Sequence, residues 1–214
     1  MSERILTDMA PFCQAPIPTL LDGADLLAVA LEYQQAGFAP ISLPPASKKA
    51  EIRWRKWQDR APGPADLRAM FKSGPANVAV VCGRASNNLL VLDCENPQTF
   101  GDTGARLASA GIVTWTTQRP INGSAHDGGG HYWLRTPKPV RGKGLDGMEI
   151  KGQGQYVLAP PSMHPDGGLY EFVVKPNEVF TLPSLDSLDW LKLEPAAEYR
   201  EYSRLAEKLL AGDE

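Results

Sequence analysis

Asp93 and Glu95 stand two residues apart at the end of the apolar run NLLVLDCE, residues 88 to 95, a spacing that turns both side chains to one face of a strand. Two carboxylates brought side by side repel one another and lose hydration unless a cation lies between them, and hard oxygen donors of this kind suit Mg²⁺ or Mn²⁺. In phosphoryl transfer, a pair of such ions about 3.5–4 Å apart clamps the attacking and leaving oxygens. The same two residues equally suit a strand that ends in solvent, so the pair alone leaves both readings open. Glu149, in GMEIKG between Met148 and Ile150, adds a third carboxylate, although its alternation also fits an ordinary half-exposed strand. Lys151 shares the face of Glu149, placed either to meet a phosphate or to pair with that neighbour. His131 opens HYWLR directly after three glycines; an imidazole there either completes the core or hydrogen-bonds a triphosphate oxygen.

A second chemical signal lies upstream. Residues 48 to 60, KKAEIRWRKWQDR, hold six basic and two acidic side chains. Within them Lys48, Arg53, Trp54, Arg55 and Lys56 combine phosphate attraction with stacking on unpaired bases, or else form a solvated loop with partly packed tryptophans. The net charge of −3 argues against a protein that coats nucleic acid, since that requires clustered Lys and Arg. The acidity is largely a tail property, however, because residues 178 to 214 carry nine acidic and four basic side chains.

To position these groups the chain has 214 residues, of which 43% are hydrophobic, enough for one generous domain with appendages. Three cysteines without close pairing suggest neither a disulfide framework nor a zinc clip. The sequence has no run of 18 apolar residues and no basic-then-apolar start, so neither a membrane span nor a signal peptide is expected, and a cytoplasmic location follows. The Pro-rich residues 1 to 20 read as an extended arm, with Asp22 capping a helix that runs to Ala36 and stops at Gly37. FAPISL (38 to 43) reads as a strand, and Gly63-Pro64 opens a short helix through Lys72 that Gly74-Pro75 closes.

NVAVVCG (77 to 83) and NLLVLDCE, separated by the turn-rich RASNN, read as a hairpin. Asn96-Pro97 starts a helix to about Ala110, and IVTWTTQ (112 to 118) is a strand. RPINGSAHDGGG (119 to 130) is a loop whose glycines allow close backbone approach. HYWLR, GMEIKG, QYVLAP and LYEFVV read as four further short strands. AlaProPro at 159 to 161, before Ser162 and His164, is a rigid turn first and a ligand site second. Ser184 caps a short helix to Leu191, and residues 196 to 211 form a charged amphipathic helix. Helices alternating with strands early and strands alone later favour an α+β fold with a largely antiparallel sheet.

Taken in order, LLVLDCE, GGGHYWLR and GMEIKGQGQYVLAPPSMHPDGGLYEF resemble the bifunctional primase-polymerase domain of the archaeo-eukaryotic primase superfamily, and GFAPISLPPASKKA with NVAVVCG fits the opening of that family. The resemblance covers roughly residues 24 to 174. It implies a modified RNA-recognition-motif-like palm plus a small α/β unit, with mainly antiparallel or mixed sheets and the active site in the cleft between them. It implies an arm over 1–20, a catalytic domain over 21–176 and a helical extension over 177–214 that leads to a downstream domain.

By the same resemblance Asp93, Glu95 and Glu149 are the metal-binding catalytic carboxylates for two Mg²⁺ or Mn²⁺ ions and His131 binds the nucleotide; Lys151 joins it as a nucleotide contact on the strength of its own position beside Glu149. Single-stranded DNA is the template, NTPs or dNTPs are the substrates, a replicative helicase is a partner and a mobile replicon is the setting. The chain departs from the family in choosing glutamate at 95 and 149 and in the longer loop from Arg119 to Gly130. It also lacks the Cys/His cluster of the zinc stem found in some members, so no zinc is expected. Two other readings compete: a metal-dependent nuclease built on the same carboxylates, and a non-catalytic module for single-stranded DNA or origins that binds through residues 48 to 60. A relaxase is disfavoured, because His126, His131 and His164 do not form the paired histidines it needs.

Overall fold

The computed structural model describes residues 26–72, 76–119 and 127–197. In chain order its elements are α1 (Leu26–Gln35), β1 (Ala39–Leu43), a 3-10 turn (Trp54–Trp57), α2 (Pro64–Met70), β2 (Asn77–Val81), a 3-10 turn (Arg84–Ser86), β3 (Leu89–Cys94), α3 (Pro97–Ser109), β4 (Thr116–Gln118), β5 (Gly130–Arg135), β6 (Lys143–Leu145), β7 (Met148–Lys151), β8 (Tyr156–Leu158), β9 (Glu171–Val174) and a kinked 3-10 stretch (Leu185–Leu191). They form an α+β fold with two antiparallel sheets, one ordered β1-β2-β8 and the other β6-β7-β3-β5-β4-β9. The 1–20 arm, the Asp22 cap, the Gly74-Pro75 stop and nearly all of the 196–211 helix fall outside the described residues.

Local chemistry sets the helix ends. Gly37, at φ 82, ends α1, letting Phe38 N donate to Tyr33 O and Gly37 N to Gln34 O. Pro64 occupies the first turn of α2 while Asp66 Oδ2 accepts from Gly63 N. The Asn96 side chain caps α3 by accepting from Thr99 N at 2.9 Å.

The expected hairpin of NVAVVCG with NLLVLDCE is not formed. Strand β2 lies between β1 and β8, and β3 lies between β5 and β7, so both edges of each strand are taken and the two belong to different sheets. Their sole ladder contact is the isolated bridge between Gly83 and Leu89. Buried Ser86 pins the crossover, its hydroxyl accepting from Ala39 N and donating to Val81 O.

Strand 112–118 is likewise shorter than expected. Over 112–115 a side chain replaces part of the ladder, since the Thr114 hydroxyl donates to Trp133 O and accepts from Phe180 N. Strand β6, with one glycine and no β-branched residue, was not anticipated.

Period-2 alternation divides the larger sheet into two faces. Leu90, Leu92, Cys94, Tyr132, Leu134, Met148 and Ile150 pack on one side with α3 and with Leu182, Leu185, Leu188 and Leu191 of the C-terminal stretch. Leu89, Val91 and Trp133 pack on the other against α1, α2 and β2. Asp93, His131 and Glu149 belong to this second face by the same alternation, at the end where the apolar packing stops. The Ala159–Ser162 turn is structural, because Ser162 Oγ meets both Val78 N and Val78 O.

Candidate active site

Register brings the site together. Across β7, β3, β5 and β4, Glu149 pairs with Asp93, Asp93 with His131, and His131 with Thr117. Two carboxylates and an imidazole thus stand in one row on adjacent strands, where directly opposed side chains approach within about 4.5–5.5 Å at Cβ. Lys151 occupies the next position inward, opposite Val91.

Charge decides how the row is held. Lys151 Nζ lies 2.5 Å from Glu149 Oε2 and 3.8 Å from Asp93 Oδ2, so one ammonium bridges the two carboxylates. His131 is buried, with Nε2 3.3 Å from Asp93 Oδ1, while Nδ1 finds no hydrogen-bond partner among the described residues. Its ring stacks on Tyr170 at 4.8 Å between centroids. Burial raises the Asp93 carboxyl, but the charge and hydrogen bond of His131, joined by Lys151 and Lys48, overcome that and hold it at about 2. Asp93 is therefore ionised at every physiological pH. Gln155 Nε2 donates to Glu149 Oε1 at 3.1 Å, so both oxygens of Glu149 are occupied.

The row forms one wall of a cleft of about 550 Å³ at the junction of the two sheets. Trp54, Tyr156, Val157 and Leu158 supply the opposite side, and Lys48, Glu95, Arg119 and Tyr170 complete the rim. Tyr156 ties the basic segment to β8: its hydroxyl donates to Lys48 O and accepts from Ala50 N, and its ring meets Trp54 edge-on at 4.8 Å. Burial lowers the Lys48 ammonium, with Asp93 acting against the shift and Arg119 and Lys151 adding to it.

Of the five residues expected to contact nucleic acid, Lys48 and Trp54 border this cleft. Arg53 and Lys56 border a second cleft of about 630 Å³ floored by Leu43, Trp57 and Met70. Arg55 is exposed and lines neither, and Trp57 is core. Glu95 follows the end of β3, exposed, its backbone held by Gly147 O and by Arg119 Nη2.

Arg119, Tyr170 and Gln155 were not among the expected site residues. Arg119 is buried with its guanidinium 5.8 Å from the Tyr170 ring. The polar GQGQ run after Lys151 was the available signal for Gln155. The close approach that the glycines of 128–130 permit is to the protein's own backbone: a Cβ on Gly129 would meet Cys94 O at 2.5 Å, and one on Gly130 would meet Thr117 O at 2.2 Å. Ser124 and His126 lie outside the described residues.

No three His, Cys, Asp or Glu side chains form a ready metal cage among the described residues. The donor chemistry nevertheless fits a hard divalent ion, because the two opposed carboxylates already hold a cation, the Lys151 ammonium, between them. Among the same residues no helix is long and apolar enough to cross a membrane.

The family model described as "Bifunctional DNA primase/polymerase, N-terminal" matches residues 30–185. No curated protein matches the chain.

Proposed function

Because the chain belongs to the bifunctional DNA primase/polymerase N-terminal family, whose membership implies primase/polymerase activity on DNA and nucleotide substrates, we propose that its cleft performs template-directed nucleotidyl transfer on single-stranded DNA. The observation that carries this reading is the row of Glu149, Asp93 and His131 across three neighbouring strands, on the wall of a cleft that also holds Lys48, Arg119 and Lys151. In this reading the six-stranded sheet is the palm and the three-stranded sheet belongs to the smaller unit.

Asp93, Glu95 and Glu149 would hold two Mg²⁺ or Mn²⁺ ions. When bound, such ions stabilise charge on the transferring phosphoryl group and on the attacking and leaving oxygens. The remaining work belongs to the chain. His131, fixed by Asp93 on one edge and Tyr170 on its face, orients the triphosphate. Lys48, Arg119 and Lys151 draw phosphates into the cleft, and Trp54 offers a stacking surface for a template base. The 3′-hydroxyl attacks the α-phosphorus and pyrophosphate departs. Positioning and electrostatic stabilisation supply the acceleration, without a dedicated protein base.

Primer extension on a single-stranded template tests the proposal, run with Mg²⁺ or Mn²⁺, with ribo- or deoxynucleotides, and repeated without primer. Template-dependent product that disappears in Glu149→Ala, with the fold intact by circular dichroism, is the expected result. Degradation of labelled single strands without nucleotides, in place of synthesis, would make the protein a nuclease. Binding with no turnover would make it a non-catalytic module.

A further inference from the structure

Lys151 does more in this fold than line a cleft. Its Nζ contacts Glu149 Oε2 at 2.5 Å and lies 3.8 Å from Asp93 Oδ2, so it stands between the two carboxylates that sit opposite one another across β3 and β7. Glu149 Oε1 is held separately by the amide of Gln155. The partners of the row therefore differ in kind: Gln155 is a neutral clamp that can stay when a cation arrives, whereas the ammonium occupies the electrostatic place of that cation.

We propose that Lys151 is a built-in counter-ion whose ammonium competes with the divalent ion for Asp93 and Glu149, and which leaves the carboxylates for the nucleotide phosphates when the ion enters. This rests on the reading of Asp93 and Glu149 as metal-binding residues. Without a resident cation, two carboxylates on directly opposed positions would repel and splay the strands that carry them. With Lys151 between them the row stays in register while the metal is absent. The cost is weaker metal binding, since each ion must displace an ammonium that is already well placed.

Releasing that ammonium adds a third cation to Lys48 and Arg119 on the same cleft. Entry of the metal and attraction of the triphosphate are in this way coupled through one side chain. Lys151 is on this account a positioning residue for the carboxylates in the empty site and a phosphate contact in the filled one.

Mn²⁺ alone, titrated against the protein without nucleotide and followed by electron paramagnetic resonance of the free ion, separates this role from a structural one. Lys151→Met should bind Mn²⁺ roughly tenfold more tightly than the wild type, a factor that corresponds to about 1.4 kcal/mol. Lys48→Met removes an equal charge from the same cleft without touching either carboxylate, and should change the affinity by no more than about twofold, as a screened charge at longer range does.

Equal binding by Lys151→Met and the wild type, or equal gains in the two lysine variants, overturns the proposal. Asp93→Asn distinguishes the failures. If it binds Mn²⁺ as the wild type does, the assignment of the carboxylates is at fault; if it loses binding while Lys151→Met is unchanged, the counter-ion role alone is wrong. Melting curves establish that each variant folds. Lys151→Gln, one bond shorter and neutral but still carrying an N–H donor for Glu149, provides the same comparison if the methionine variant does not.

Discussion

Replacing Asp93 by asparagine preserves the shape of the side chain and removes its charge, and the effect should be readable in stability as well as in synthesis. Burial alone would raise the carboxyl, yet His131, Lys151 and Lys48 bring it from 3.8 to about 2. With solvent screening at a side chain that is 26% exposed taken into account, that fall corresponds to about 2 kcal/mol in favour of the folded carboxylate. Because the folded value lies below the unfolded one, this stabilisation is complete above the unfolded value near 4 and is lost as pH falls through about 2.

Urea unfolding of wild type and Asp93→Asn, in chelator and at a series of pH values, measures it. The gap in unfolding free energy between the two proteins should roughly halve between about pH 5 and about pH 3, the window in which the Asp93 carboxyl titrates in the unfolded wild type while the folded one stays largely ionised. A gap that does not change with pH, or that widens in acid, would refute the argument, because burial rather than His131 and the lysines would then govern Asp93. In urea-free buffer with Mg²⁺ or Mn²⁺ in place of chelator, Asp93→Asn should yield no primer-extension product at about pH 7 where the wild type does.

Two further substitutions separate the nucleotide from the template. His131→Ala, which deletes the ring stacked on Tyr170 and its contact with Asp93, should raise the KM for the incoming nucleotide roughly tenfold, the weight of one charge-assisted hydrogen bond, while template affinity measured by fluorescence anisotropy stays within about twofold; an unchanged nucleotide KM would remove His131 from triphosphate binding. Trp54→Ala should weaken binding of a labelled single strand by about 1–3 kcal/mol at unchanged salt dependence, as loss of one stacked base does, whereas Arg55→Ala should weaken it less and lower the salt slope; equal effects of the two would place the template away from the cleft.

How much of this was legible in the sequence follows from the range over which each feature is decided. Alternation along β3, β5 and β7 is local, so the facing of Asp93, His131 and Glu149 could be read from LLVLDC, GHYWLR and MEIK. Register is not local. Nothing in those segments states that Glu149 and His131 flank Asp93 on either side, or that Lys151 bridges two of the three. The hairpin failed for the same reason. RASNN does signal a change of direction, with Asn87 and Asn88 both at positive φ, but whether the strands on either side pair depends on competition from β1, β8, β5 and β7 for their edges. Arg119 opens a segment without period and Tyr170 directly precedes β9; what brings both to the cleft is pairing between distant strands, which their own segments do not state. The basic segment was read as a single surface, whereas its 3-10 turn points Trp54 to one cleft and Arg53 and Lys56 to another.

The charge balance of the cleft explains how a protein of net charge −3 can act on polyanions. Among the described residues Lys48, Arg119 and Lys151 share the cleft with Asp93, Glu95 and Glu149, so three cations meet three carboxylates and their charges nearly cancel. Such a cleft has little attraction for a triphosphate or a DNA backbone beyond what Arg53, Arg55 and Lys56 provide outside it. On the proposed reading, carboxylates filled by divalent ions leave the lysines and Arg119 uncompensated, and the cleft becomes strongly positive only then. Nucleotide affinity should therefore depend on the metal far more than the number of direct metal contacts suggests, and the dependence should fall when Lys48 or Arg119 is neutralised.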